Sequence, residues 1–158
     1  MPNYTRPRRP GASIFFTVTL SERTSDLLTR EIEILRQSVR KTLQERPVKI
    51  DAWVVLPDHM HCVWTLPEGD TDYANRWRII KARFSRKMPD GHRRASHMGR
   101  REHGLWQRRF WEHHIRDPAD WQNHVAYCWN NPVKHGLAGE PGDWPFSSWH
   151  RDHGQTPP

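Results

Sequence analysis

Two runs of alternating residues meet at Pro57-Asp58, and that junction limits what this chain can fold into more than any other feature. After Pro47, the apolar residues Val48, Ile50, Ala52, Val54 and Leu56 recur at every second position. From about His59 to Leu66 the alternation resumes, with Met60, Cys62, Trp64 and Leu66 on one face and His59, His61, Val63 and Thr65 on the other. Side chains along a strand point to opposite faces in turn, so each run presents one side for burial. Pro-Asp is not among the favoured two-residue hairpin turns. Even so, a connection this short joins antiparallel strands, because parallel ones need a crossover of about a dozen residues or more.

The other elements build around that pair. Ile14, Phe16, Val18 and Leu20 alternate with Phe15, Thr17 and Thr19, which predicts a strand. Thr24-Ser25-Asp26 can cap one amphipathic helix, in which Leu28, Ile32, Leu35, Val39 and Leu43 recur at three and four and which runs to about Arg46. After Pro67-Glu68-Gly69, the spacing of Tyr73, Trp77, Ile80 and Phe84 predicts a second helix. Residues 89–104, with Arg93, Arg94, Arg100 and Arg101, read as a mobile basic loop, and Leu105 to Ile115 as a fourth strand. Asp117-Pro118 opens a third helix, with Asp at the cap and Pro at the first position. That helix is expected to end near Asn131, since Pro132 disfavours helical backbone in the residue before it. Trp144-Pro145-Phe146 and Trp149 read as apolar clips that pack back on the domain.

This order of elements fits an antiparallel sheet with flanking helices, an α+β fold of ferredoxin-like type. The organisation expected is a basic arm over residues 1–12, a single domain over 13–150 and a tail over 151–158.

Charge narrows the function. Among 158 residues, 25 Lys and Arg face 18 Asp and Glu, a formal charge of +7. A surplus of this kind points to a polyanionic partner, nucleic acid first, with a merely basic protein as the plain alternative. Arg6, Arg8 and Arg9 lie among Pro2, Pro7 and Pro10 in an extended arm suited to reading bases. The second helix carries Arg76, Arg78, Lys81, Arg83, Arg86 and Lys87, and with Arg108, Arg109 and Lys134 these could line a path for a DNA backbone. Some of the nine Trp can build a core, and exposed ones would stack on bases. Cys62 and Cys128 are expected to be buried and reduced, in the cytoplasm. The start does not resemble a signal peptide, and no apolar run approaches membrane-spanning length.

Two short pieces carry the chemistry. His59-Met60-His61 places two imidazoles on one strand face just past a turn, and Tyr127 and Asn131 lie four apart on one helix face. Trp121, Val125 and Cys128 form the apolar stripe that would seat that helix, with Tyr127 beside it. Two His and an amide oxygen can hold a divalent metal, and a Tyr beside that metal can attack a phosphodiester. Each piece alone also reads plainly, as solvated His on a half-exposed strand and as a Tyr at the core edge. Together, in a small basic chain, they suggest an enzyme that cuts DNA by covalent attachment. A structural metal site would need four closed ligands, typically Cys-rich, and the two Cys offer no such spacing.

The blocks G-A-S-I-F-F-T-V-T (Gly11 through Thr19), A-W-V-V-L-P-D-H-M-H-C-V-W (Ala52 through Trp64), L-W-Q-R-R-F-W-E-H-H-I-R (Leu105 through Arg116) and His124 through Leu137 occur in a telling order. With D-W-P-F-S-S from Asp143, the chain over about residues 4–150 resembles the REP-associated tyrosine transposases, a bacterial branch of the HUH single-strand transposases. The resemblance implies that His59 and His61 are the metal-binding pair and Tyr127 the nucleophile. Asn131 stands where the wider superfamily often carries Gln as third ligand. It further implies an HUH-endonuclease fold, Mg²⁺ or Mn²⁺ as cofactor, a 5′-phosphotyrosine intermediate with a free 3′-hydroxyl, and a monomer. The implied partner is single-stranded or hairpin DNA of the repetitive extragenic palindrome (REP) type, in the bacterial nucleoid. Cys128-Trp129 departs from the Ile-His that commonly follows the tyrosine. Two alternatives stay open: a domesticated, non-catalytic hairpin-DNA-binding protein of the same fold, and a replication-initiator-like nickase.

Overall fold

The Pro57-Asp58 junction holds β2 (Lys49–Val55) and β3 (His59–Thr65) side by side, antiparallel, with Val54 opposite His61 and Val55 opposite Met60. In the computed structural model, which describes residues 9–89 and 104–158, β1 (Ser13–Thr19) lies along the other side of β3 and β4 (Trp111–His114) outside β1. The four-stranded antiparallel sheet therefore runs β2-β3-β1-β4, the ferredoxin-like arrangement the element order predicts.

Alternation divides the core into two layers. On one face, Ile14, Phe16, Val18, Met60, Cys62 and Trp64 are buried against α2 (Ile32–Glu45) and α3 (Tyr73–Arg86). Trp64 and Trp77 stack at 4.4 Å and 10° there, so two large rings fill the centre of the layer. On the other face, Phe15, Ala52, Val54 and Val63 meet Val125 and Cys128 of α4 (Pro118–Lys134). Cys62 and Cys128 are both buried free thiols.

Charge is also built into the frame. Arg76 is 3% exposed and spends its whole guanidinium on the Arg46, Pro47 and Asp72 carbonyls and on both carboxylate oxygens of Asp70. It therefore supports the domain and offers nothing to a ligand. Arg76→Ala leaves Asp70 and three carbonyls unanswered, so urea unfolding should show a loss of about 3–5 kcal/mol. A loss under about 1 kcal/mol, the range of exposed pairs, would mean that solvent replaces these contacts.

Three elements differ from the sequence-based expectation. The single helix to Arg46 is two: α1 (Leu27–Arg30) and α2 separate at Glu31, whose φ of −107° and ψ of 38° leave the helical region. The Leu28 amide is fixed to the Pro57 carbonyl in the strand turn, and the chain bends at Glu31 to carry α2 across the sheet. The fourth strand is shorter than Leu105–Ile115. Leu105–Gln107 pairs with the end of β1 through Ser21, Leu20 and Thr19, and regular pairing resumes only at Trp111, beyond exposed Arg108 and Arg109.

Most consequential, α4 does not stop near Asn131 but passes through Pro132 to Lys134. A proline so close to the helix end forfeits one ladder bond, and this one is buried. The turn closes through His135 to Asn131 and Leu137 to Pro132.

The C-terminal segment packs back as expected and does so along the outer edge of β2. The Val55 amide donates to Phe146 O, the Ser148 amide to Trp53 O, and the Trp144 indole to Val55 O. Trp129 of α4 donates to Ser148 Oγ and so joins the helix to the same strap. The Cys128-Trp129 departure thus serves packing: Cys128 faces the core and Trp129 the tail. No helix among the described residues is long and apolar enough to cross a membrane.

Candidate active site

His59 and His61 sit on the α4 side of the sheet, and both are nearly buried, at 7% and 5% exposed. Each ring is oriented through Nδ1: His59 Nδ1 lies 2.7 Å from Asp58 Oδ1, and His61 Nδ1 lies 2.8 Å from Thr17 Oγ1. With Nδ1 carrying the proton that donates to those oxygens, both Nε2 lone pairs are left open. Arg23 in turn donates to Asp58 Oδ2 at 2.6 Å. A partner that fixes the tautomer and aim of a ligating imidazole is what a metal site requires beyond its ligands.

Burial is the main cause of a lowered pKa at both rings. It acts with the nearby His59, His135 and Lys134 to push His61 down to about 3. Burial alone would raise Asp58, but hydrogen bonds from Arg23 and His59 outweigh it and hold the carboxyl below its usual range. The rings are therefore neutral and able to ligate, with an anion behind them. An unfolded His ionises near pH 6.5, so between about pH 6.5 and pH 3 the unfolded chain holds protons that the native chain lacks. Stability is full above that window and falls as pH drops through it. In chelator-containing buffer, urea midpoints at pH 7 and pH 5 should give a loss of roughly 1 kcal/mol per pH unit. A flat profile would mean that these rings charge freely in the fold.

Asn131 completes the constellation. It is 1% exposed, and neither Oδ1 nor Nδ2 has a hydrogen-bond partner. The amide comes near enough to His61 to oppose its lowered pKa slightly, but no contact there has hydrogen-bond geometry, so both atoms count as unpartnered. Buried amide atoms left without partners are costly, and a cation beside the two imidazoles would satisfy the oxygen. The donor set therefore fits a divalent ion.

Tyr127, on the same helix, is 38% exposed, its ring 5.2 Å from that of His61. Phe15 touches three of these rings at once, stacked on His61 at 5.6 Å and packed against His124 at 4.9 Å and Tyr127 at 5.7 Å. Because α4 continues through Pro132, Lys134 lies two turns along from Tyr127 and its Nζ stands 5.1 Å over the phenol ring. His135 stands edge-on to His59 at 5.4 Å.

The other basic residues divide. Arg6 and Arg8 lie outside the described residues, and Arg9 is exposed. Arg83 is committed to both oxygens of Glu45 and to Thr42. Lys81 donates to the Gln107 carbonyl at 3.0 Å. Arg86, Lys87, Arg108 and Arg109 are exposed. The α3 cations belong to the opposite face of the sheet from Tyr127.

Sequence reasoning missed the supporting groups: Thr17, Phe15, Asp58 and His135. Only Asp58, next to His59, had a local signal; the others depend on strand register and on where α4 ends. It also missed His113, Asp120 and His124, whose donor atoms lie within 4.8 Å of one another and so are near enough to share a metal ion. Here protein bonds occupy them. Asp120 accepts from His113 at 2.8 Å and from the Arg116 amide at 2.9 Å, while His124 lies 3.1 Å from its other oxygen. The amide bond and then the His113 bond hold Asp120 down to about 2. The cluster staples the start of α4 to β4.

No family model matches the chain. A REP-associated tyrosine transposase of Escherichia coli (strain K12) is 47% identical over 152 residues, which cover 96% of this chain and 85% of that protein. The chain belongs to the REP-associated tyrosine transposases. A Haemophilus influenzae protein assigned to the same family is 44% identical over 154 residues, covering 96% of this chain and 88% of its own. A solved REP-associated tyrosine transposase, described as bound to a REP hairpin, superposes with a TM-score of 0.84 at 47% identity, over 98% of this chain and 86% of that one. A transposase-like structure from Deinococcus radiodurans, 14% identical with a TM-score of 0.50 over 85% of this chain and 97% of its own, shares the fold alone. Within the family, then, the paired imidazoles and the exposed phenol of this chain lie together on one side of a ferredoxin-like sheet.

Proposed function

We propose that this chain is a metal-dependent tyrosine transposase that binds REP-type hairpin DNA and cleaves and rejoins its single strand through a 5′-phosphotyrosine. The observation that carries this reading is the Tyr127 ring at 5.2 Å from His61, beside two imidazoles whose Nε2 atoms are left open. The named relatives and the REP hairpin held by the similar structure support the substrate class.

In this reading Tyr127 Oη attacks the scissile phosphorus, and the phenol proton passes to solvent. The new Oη–P bond forms as the bond from phosphorus to the 3′-oxygen breaks, and that oxygen leaves as a 3′-hydroxyl. One phosphodiester is exchanged for another, so rejoining by the reverse attack needs no nucleotide cofactor. A divalent ion, Mg²⁺ or Mn²⁺, held by His59 and His61 Nε2 and Asn131 Oδ1, would supply Lewis-acid withdrawal of charge from the phosphate. Phe15 keeps Tyr127 and His61 at a fixed spacing, and Lys134 adds a positive charge above the phenol where a phosphate must approach. Arg9, Lys81, Arg86, Lys87, Arg108 and Arg109 would take backbone phosphates, with Arg6 and Arg8 in the arm. The chain would work as a monomer on DNA in the bacterial cytoplasm, with residues 13–150 as its single catalytic domain.

The test is direct. The protein is incubated with single-stranded hairpin DNA from the flanks of its own gene, with Mn²⁺ or Mg²⁺, and run on a denaturing gel. A metal-dependent covalent protein–DNA adduct is expected. Tight hairpin binding with no adduct in either metal would favour the domesticated binding protein instead.

A further inference from the structure

We infer that Trp111 is a stacking platform for an unpaired base of the DNA strand, flanking the position cleaved by Tyr127. The inference rests on the proposed single-strand chemistry and names a binding subsite for it.

Trp111 is 67% exposed, the largest exposure of any large hydrophobic side chain among the described residues. The other Trp there are buried or partly buried. Its direction follows from register. Trp111 pairs with Thr17 of β1, and Thr17 pairs with His61 of β3. Directly paired residues share a face, so Trp111, Thr17 and His61 form one row across the sheet on the α4 side. The neighbouring pair agrees: His113 lies opposite Phe15, and both meet residues of α4.

At roughly 4.8 Å between strands, the Trp111 backbone lies about 10 Å from that of His61. That distance is about three nucleotides at the ~3.4 Å rise of a stacked strand, and fewer in an extended one. Trp111 is open to solvent because α4 packs over β2 and β3, while its first two turns reach β4 at His113, through the His113–Asp120–His124 staple.

The position suits a single strand better than a protein partner. Exposed Lys87, Arg86, Arg108 and Arg109 lie at α3 or just before β4, whereas Tyr127 lies on the other face. The β2 edge is covered by the C-terminal strap, so the β4 edge is the open route for a strand running from those cations to Tyr127, and Trp111 is the exposed ring on it. Aromatic rings accept any base through its π-face, and alanine substitution at such a position weakens binding roughly 5- to 150-fold.

The experiment measures hairpin binding in metal-free buffer, for the full chain and for Trp111→Ala and Trp111→Phe. A series of DNAs carries a single abasic site at each of the nucleotides on either side of the cleavage position. Trp111→Ala should weaken binding to intact DNA within the stated range, and Trp111→Phe far less. One abasic position should reproduce the loss in the parent chain and add nothing in Trp111→Ala. That non-additivity is the signature of stacking. Equal losses across every abasic DNA, or an unchanged affinity in Trp111→Ala, would overturn the inference. So would a change in oligomeric state in light scattering with DNA affinity intact, which would make the edge a protein interface. Absence of a covalent adduct with metal would instead refute the transposase chemistry and leave the binding result standing.

Discussion

Tyr127→Phe is expected to form no covalent adduct with single-stranded hairpin DNA, in Mn²⁺ or Mg²⁺, while binding the hairpin nearly as the parent does. The substitution removes one oxygen from a ring that is 38% exposed, and Phe keeps the packing on Phe15 and His61. The lost atom is the proposed nucleophile, and without it the proposed attack leaves no weakened version of the same reaction. Denaturing gels and filter binding read the two properties separately. An undiminished adduct would move the nucleophile to another residue, and Tyr73, 2% exposed in the core, is not available for attack.

The second large effect belongs to the paired imidazoles. His59→Ala and His61→Ala should each abolish cleavage and sharply weaken Mn²⁺ binding by calorimetry. Asn131→Ala should do less, because an amide is the weakest of the three proposed ligands and water can take its place. Thr17→Val tests the layer behind: it keeps the shape and removes the oxygen that orients His61, and such losses typically cost about 10- to 100-fold in metal affinity or activity. Mn²⁺ affinity unchanged by both His substitutions would end the metal-site reading.

Much of this architecture was legible in the residues themselves. The strand pair around Pro57-Asp58, the faces of β3 and the start of α4 at Asp117-Pro118 all follow from local periodicity and capping. What escaped the sequence needed tertiary information. The break at Glu31 follows a short helix whose Leu28 amide is bonded to a strand turn almost thirty residues away. The passage of α4 through a buried Pro132 has no local signal, and without it the position of Lys134 over Tyr127 could not be foreseen. Thr17 looks like any strand threonine until register sets it opposite His61. Nothing in the sequence shows that Arg83 is paired with Glu45, thirty-eight residues away.

The C-terminal strap has a consequence for when the domain can close. Chains emerge from the ribosome N-terminus first. The imidazole pair, the phenol and the amide are all synthesised before Trp144, Phe146 and Ser148, the residues that bind the β2 edge and hold Trp129 of α4. A nascent chain therefore carries these four side chains before it has the strap that ties Trp129 of α4 to the β2 edge. The join between α4 and the β2 edge therefore closes only after every strand of the sheet has been synthesised.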